Sequence, residues 1–76
     1  MLEIIKEILK EVIGVSYVSL ETDFIKDLHL NSFDVVNIIC ALEIRFNIEI
    51  PTRDIWHINT VNDLIEYLTE VKKIAL

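Results

Sequence analysis

Apolar and polar positions follow a helical period from the start of the chain. Leu2, Ile5, Leu9, Val12 and Ile13 share one face, with Ile4 and Ile8 alongside, while Glu3, Lys6, Glu7, Lys10 and Glu11 take the other. A 3.6-residue repeat of this kind predicts an amphipathic helix over residues 2–13. Gly14 follows it, and glycine readily adopts the left-handed conformation that ends a helix. Residues 15–31 keep no sustained period. Val15 to Leu20 has the composition of a short strand but no partner strand, so the pattern predicts a long loop tied down by Phe24, Ile25, Leu28 and Leu30. A loop this long in so small a chain is usually functional or partly helical.

A second helix begins at Asn31-Ser32-Phe33-Asp34. Asn31 suits the N-cap, and Asp34 places negative charge in the first turn, where the helix dipole favours it. The helix runs to about Phe46, and Asn47 can take the left-handed position beyond it. Pro51 disfavours helix at Ile50, so Ile48 to Pro51 is extended. A short helix starts at Thr52 or Asp54 and reaches Ile58. Thr60-Val61-Asn62-Asp63 has the form of a capping box, with Asp in place of the usual Glu. The last helix carries Val61, Leu64, Ile65, Leu68 and Val71 on one face. The expected fold is all-α, a small bundle of three longer helices and one short one.

The helix at 32–46 holds more apolar surface than a small bundle needs. Ile38, Ile39, Leu42 and Phe46 form a stripe suited to a core. Phe33, Val36, Cys40 and Ile44 form a second stripe, bordered by Asp34 and Glu43. Either the bundle wraps both stripes, or the second faces a partner, as exposed apolar patches tend to. Ser32 stands at the head of that stripe. On its own it reads as a routine first-turn hydroxyl, although N–H groups at a helix start favour a phosphoryl substituent.

Composition narrows the function. The chain has 76 residues, 53% of them hydrophobic, with one Gly and one Pro, which favours helices over an all-β fold. We read it as one domain, 1–76. The longest unbroken apolar run, Ile38 to Leu42, is far short of the ~18 residues a spanning helix needs. Charges interrupt the N-terminal apolar run, against a secretory signal. The single cysteine rules out an internal disulfide, and a reducing cytoplasm is the expected compartment. Net charge is −6, and residues 20–70 hold ten acids against Lys26, Arg45 and Arg53. That acidic middle repels nucleic acid and favours basic protein partners.

Asp27-Leu28-His29-Leu30-Asn31-Ser32-Phe33 resembles the D-L-G-x-D-S-L signature of acyl carrier proteins. The likeness continues through Asp34-Val35-Val36, Ala41-Leu42-Glu43 and Phe46-Asn47-Ile48-Glu49-Ile50-Pro51. It resumes at Ile58-Asn59-Thr60-Val61-Asn62-Asp63, similar to the family's I-x-T-V-x-D. The resemblance spans roughly residues 20–70 and implies a discrete carrier with an acyl-carrier-like bundle. It implies that Ser32, flanked by Asn31 and Phe33, is esterified by 4′-phosphopantetheine from coenzyme A, delivered by a phosphopantetheinyl transferase. The arm's thiol would hold an acyl group for acyl-transferring, condensing or acyl-ligase enzymes, as in fatty-acid, polyketide or related biosynthesis. Asp34, Val36, Cys40, Glu43 and Ile44 would meet those partners. The family also shelters acyl chains between its helices. The sequence departs from the signature at Asn31, usually Asp, at Phe33, usually Leu, and at His29, often Gly. Asn37, Ile44 and Arg45 fall where acids are common in fatty-acid carriers.

Other constellations are weaker. Cys40 reads as a small hydrophobe with no activating neighbour. His29 and His57 are too few for a metal site. Asp27, His29 and Ser32 lack the strand–turn–helix elbow of a hydrolytic triad, so the chain is expected to be a carrier and no enzyme. Trp56 reads as a packing anchor. Two alternatives to a monomeric carrier remain at this level: an unmodified helical interaction module with the same fold, and a homodimer built on the second helix.

Overall fold

The computed structural model describes residues 1–74. Four α-helices follow in order: α1, Leu2–Ile13; α2, Ser32–Phe46; α3, Thr52–Ile55; and α4, Val61–Glu66, which continues as a π-helical segment, Tyr67–Val71. The fold is therefore the expected all-α bundle, with α1 packed on α2 and α4. Each helix boundary has a local cause. Gly14 closes α1 at φ 73°, its N–H donating to the Leu9 and Lys10 carbonyls. Asn31 caps α2 by accepting the Asp34 N–H at 2.8 Å, and Asn47 ends it at φ 55°. Thr60 and Asp63 form the full reciprocal capping box at α4, which satisfies the N–H groups of both residues.

One apolar cluster joins the helices. Leu9 of α1, Leu42 of α2 and Val61 and Leu68 of the last helix have no exposed surface. Ile38 and Ile39 are buried beside Leu42, and Phe46 packs partly against the same cluster. The first stripe of α2 is thus core. No side-chain nitrogen or oxygen is buried unpaired among the described residues.

The structure corrects three readings of the apolar pattern. Ile25 is 54% exposed, and its neighbour Phe24 is the buried anchor, together with Leu30 and Val18. Val71 is also exposed. The Thr69 hydroxyl donates to the carbonyls of Ile65 and Glu66, competing with the α-helical ladder where it widens into π geometry. The wider turn rotates Val71 off the buried face. The chain then turns back at Lys73, φ 59°, and Ile74 packs on the core instead. Trp56 is the third correction: it is 73% exposed. At the turn that ends α3, Ile55 and Ile58 pack on the core, and Trp56 and His57 between them are exposed. The short helix also stops at Ile55 rather than Ile58.

Between α1 and α2 the chain forms no strand, only an isolated bridge from Asp23 to Thr60. Phe24 N–H donates to Asn59, Val61 N–H to Thr22, and Asn62 N–H to Leu20. These bonds sew the long loop to Asn59 and the first turn of α4.

Candidate functional site

Of the residues expected to form a site, Asn31, Ser32, Phe33 and Asp34 lie together at the N-terminal end of α2. The approach is built by carboxylates. Asp23 Oδ1 accepts the N–H groups of Lys26 at 2.7 Å and Ile25 at 2.9 Å. Asp27 Oδ2 accepts the Asp23 N–H at 2.7 Å. The Lys26 N–H is the main cause that holds the Asp23 carboxyl below its ordinary value, and burial opposes it. Asp27 is therefore a loop brace, and the structure gives it no bond to His29 or Ser32 of the kind a triad needs. Among the described residues no group of three or more His, Cys, Asp or Glu side chains converges on a possible metal position.

His29 sits at φ 54°, in the left-handed region. That conformation admits glycine freely and costs an L-residue, with His among the more tolerant types. The turn at His29 delivers Leu30 into the core at 9% exposure and presents Asn31 and Ser32 outward. Ser32 is the first residue of α2 and is exposed, as are Asn31 and Phe33. Asn31 spends its side-chain oxygen on the Asp34 N–H, so the earlier N–H groups of the turn remain open to an anion. The arrangement suits a phosphodiester on Ser32 Oγ: an accessible hydroxyl, free first-turn donors, and no buried group to displace.

The second stripe of α2 lies in solvent. Phe33 is 72% exposed, Val36 53% and Ile44 83%, and the Cys40 thiol is exposed between them. The bundle does not wrap this face. Of the two bordering acids, Asp34 is half-buried in the first turn. Glu43 reaches back through Oε2 to the Ile50 N–H at 2.9 Å, so it also fixes the extended segment before Pro51. Arg45, on the far side, pairs with Glu7 of α1 at 3.8 Å.

Below the head of α2 is an apolar cavity of about 110 Å³, lined by Phe24, Leu30, Val35, Ile38, Ile39 and Leu64, with Ile25 and Trp56 among its remaining walls. Leu30 and Val35, two residues before Ser32 and three after it, put one wall of the cavity at the start of α2. Sequence reasoning places Ser32 in the first turn of α2 and separates the two stripes of that helix. It misses the walls given by Ile25 and Trp56, because a residue that is mostly exposed yet lines a cavity leaves no mark in the helical period. Tyr67 closes the back of α3: its hydroxyl donates to Asp54 Oδ2 at 2.6 Å. Burial first, then that carboxylate, pushes Tyr67 up to about 12.

A family model described as the phosphopantetheine attachment site matches residues 3–68. An acyl carrier protein of Clostridium perfringens is 39% identical over 72 residues, covering 92% of this chain and 95% of its own. One from Wolinella succinogenes is 42% identical over 66 residues, covering 84% and 87%. Among solved structures, one described as an acyl carrier protein from Mycobacterium tuberculosis superposes with a TM-score of 0.81 at 25% identity. It covers 88% of this chain and 92% of that one.

Proposed function

The chain belongs to the acyl carrier protein family, and from that premise we propose that Ser32 is the residue that takes the 4′-phosphopantetheine arm. The observation that carries this assignment is the exposed hydroxyl at the first position of α2, capped by Asn31 and preceded by the left-handed His29 turn. Ser32 Oγ forms the new bond to phosphorus. The pyrophosphate bond of coenzyme A breaks, adenosine bisphosphate leaves, and the hydroxyl proton passes to the transferase. The first-turn N–H groups then face the phosphodiester. When bound, the arm supplies a terminal thiol that holds an acyl group as a thioester.

Around that site the chain's own residues divide the work. Asn31 keeps the helix start in shape, and Phe33 covers the foot of the arm. Phe33, Val36, Cys40 and Ile44 form the apolar centre of a docking surface for acyl-transferring, condensing or ligase enzymes, and for the transferase. Asp34 and Glu43 steer basic patches of those partners toward it. The cavity under α2 receives the apolar end of the cargo; Asn59 is its single polar wall residue. The chain works as one carrier domain and as a monomer in the cytoplasm. No helix among the described residues is long and apolar enough to cross a membrane.

Incubation with coenzyme A and a promiscuous phosphopantetheinyl transferase, followed by intact mass, tests the reading. One arm per folded chain is expected. A folded chain that stays unmodified would make it an interaction module with the carrier fold.

A further inference from the structure

The geometry points to Trp56 as the residue that sets which acyl cargoes this carrier shields, its indole closing the cavity mouth over the length of chain that the cavity is too small to hold. This inference rests on Ser32 carrying the arm. Trp56 is the only tryptophan in the chain. It is 73% exposed and yet forms a wall of the cavity with the buried Ile38, Ile39 and Leu64. A side chain in both situations stands at the mouth, and Ile25, 54% exposed, shares that position. An aromatic ring of this size covers roughly 150–250 Å² when it is buried, and most of the Trp56 surface is uncovered.

The volume decides what reaches it. An apolar cavity of about 150 Å³ holds a benzene ring, and this one is about 110 Å³. It has room for a few methylenes. A longer chain emerges at the mouth, where Trp56 and Ile25 are the cavity walls with the most apolar surface still exposed. The occupant is the molecule's own cargo, because Leu30 and Val35 bracket Ser32 and line the same cavity. The element that holds Trp56 is also lightly anchored. Thr52–Ile55 is four residues long and buries none of them fully, and the Tyr67–Asp54 hydrogen bond ties it to the last helix.

The test loads the protein from acetyl-coenzyme A or octanoyl-coenzyme A with a promiscuous transferase, confirms each product by intact mass, and reads Trp56 emission and iodide quenching. The acetyl form should match the unloaded protein. The octanoyl form should shift to the blue and resist iodide. Trp56→Ala should speed hydroxylamine cleavage of the octanoyl thioester several-fold and leave the acetyl thioester unchanged, and Trp56→Phe should restore most of the protection. Confirmed loading with emission indifferent to cargo would overturn the inference while leaving the role of Ser32 intact. A shift that appears only when a partner enzyme is added would also overturn it, making Trp56 a protein contact. A folded wild type that accepts neither acyl arm would overturn the carrier reading itself and this inference with it.

Discussion

Replacing Ile44 by Glu separates docking from folding on a single helix. Ile44 is 83% exposed, so about a sixth of its side chain is withheld from water. Full burial of such a residue contributes about 1.5–3 kcal/mol, so the little packing that Ile44 makes is worth at most about 0.5 kcal/mol. A carboxylate in the last turns of α2 meets the negative end of the helix dipole and costs about 0.3–1 kcal/mol. The better helix propensity of Glu returns a few tenths of a kcal/mol. The net loss should therefore stay below about 1 kcal/mol. Leu42, on the opposite side of the same helix and fully enclosed, should lose about 2–5 kcal/mol as Leu42→Ala. Urea unfolding of the three proteins measures both numbers. Acyl transfer or arm loading measures the other half. A charge placed in the apolar centre of a docking surface should slow it about tenfold, equivalent to ~1.4 kcal/mol. In the wild type, raised salt should slow association further by screening Asp34 and Glu43. Loss of several kcal/mol in Ile44→Glu would mean that this face is packed. Wild-type transfer rates in a folded Ile44→Glu protein would mean that partners dock elsewhere.

Three further outcomes are expected. Tyr67→Phe removes the hydroxyl that donates to Asp54 and should cost about 1–2 kcal/mol at neutral pH. Because Tyr67 is raised in the fold from 10.0 to about 12, its contribution is complete below the unfolded value and declines as pH rises through that window. The stability gap between wild type and Tyr67→Phe should accordingly narrow from pH 10 to 12, and a gap that widens would refute the sign. His29→Gly relieves a left-handed L-residue, worth about 1–2 kcal/mol, against about 0.5–1 kcal/mol of added chain entropy. Its melting temperature should hold or rise while that of His29→Val falls, and the reverse order would contradict the φ-based account. Asn31→Asp should keep the cap, since the two residues are comparable there, and should accept the arm about tenfold faster with one transferase at fixed salt. Equal rates would show that the charge next to Ser32 does not matter to the transferase.

The legible parts of this fold are those governed by local chemistry. Gly14, Asn31, Asn47 and the Thr60–Asp63 box mark helix ends through a single turn of backbone, and each stands where the sequence places it. The second stripe of α2 is legible as a surplus, because one helix face satisfies the core. The residues that break the pattern depend on bonds and turns that a helical period does not carry. Val71 leaves its expected face because Thr69 widens the helix. Ile25 turns out of the core while Phe24 stays in it, in a loop pinned by backbone bonds to residues 59–62. Trp56 faces outward because α3 ends at Ile55, and the turn after it brings Ile58 rather than Trp56 to the core. Asp23 and Asp27 look like loose surface acids in sequence, and their role as loop braces is visible only once the backbone amides they accept are in place. The left-handed turn at His29 is hidden for the same reason, since His does not announce a positive φ as Gly does.

The central claim is that one hydroxyl, Ser32, carries the arm. Fragment-resolved mass of wild type and Ser32→Ala, each treated with coenzyme A and the same transferase, tests it most directly. Ser32→Ala should remain folded by circular dichroism, because losing an exposed first-turn hydroxyl costs at most about 1 kcal/mol. The expected result is a single arm on wild type, mapped to the fragment containing Ser32, and none on Ser32→Ala. An arm that persists on Ser32→Ala, or one mapped to Ser16 or Ser19 in the long loop, would contradict the account.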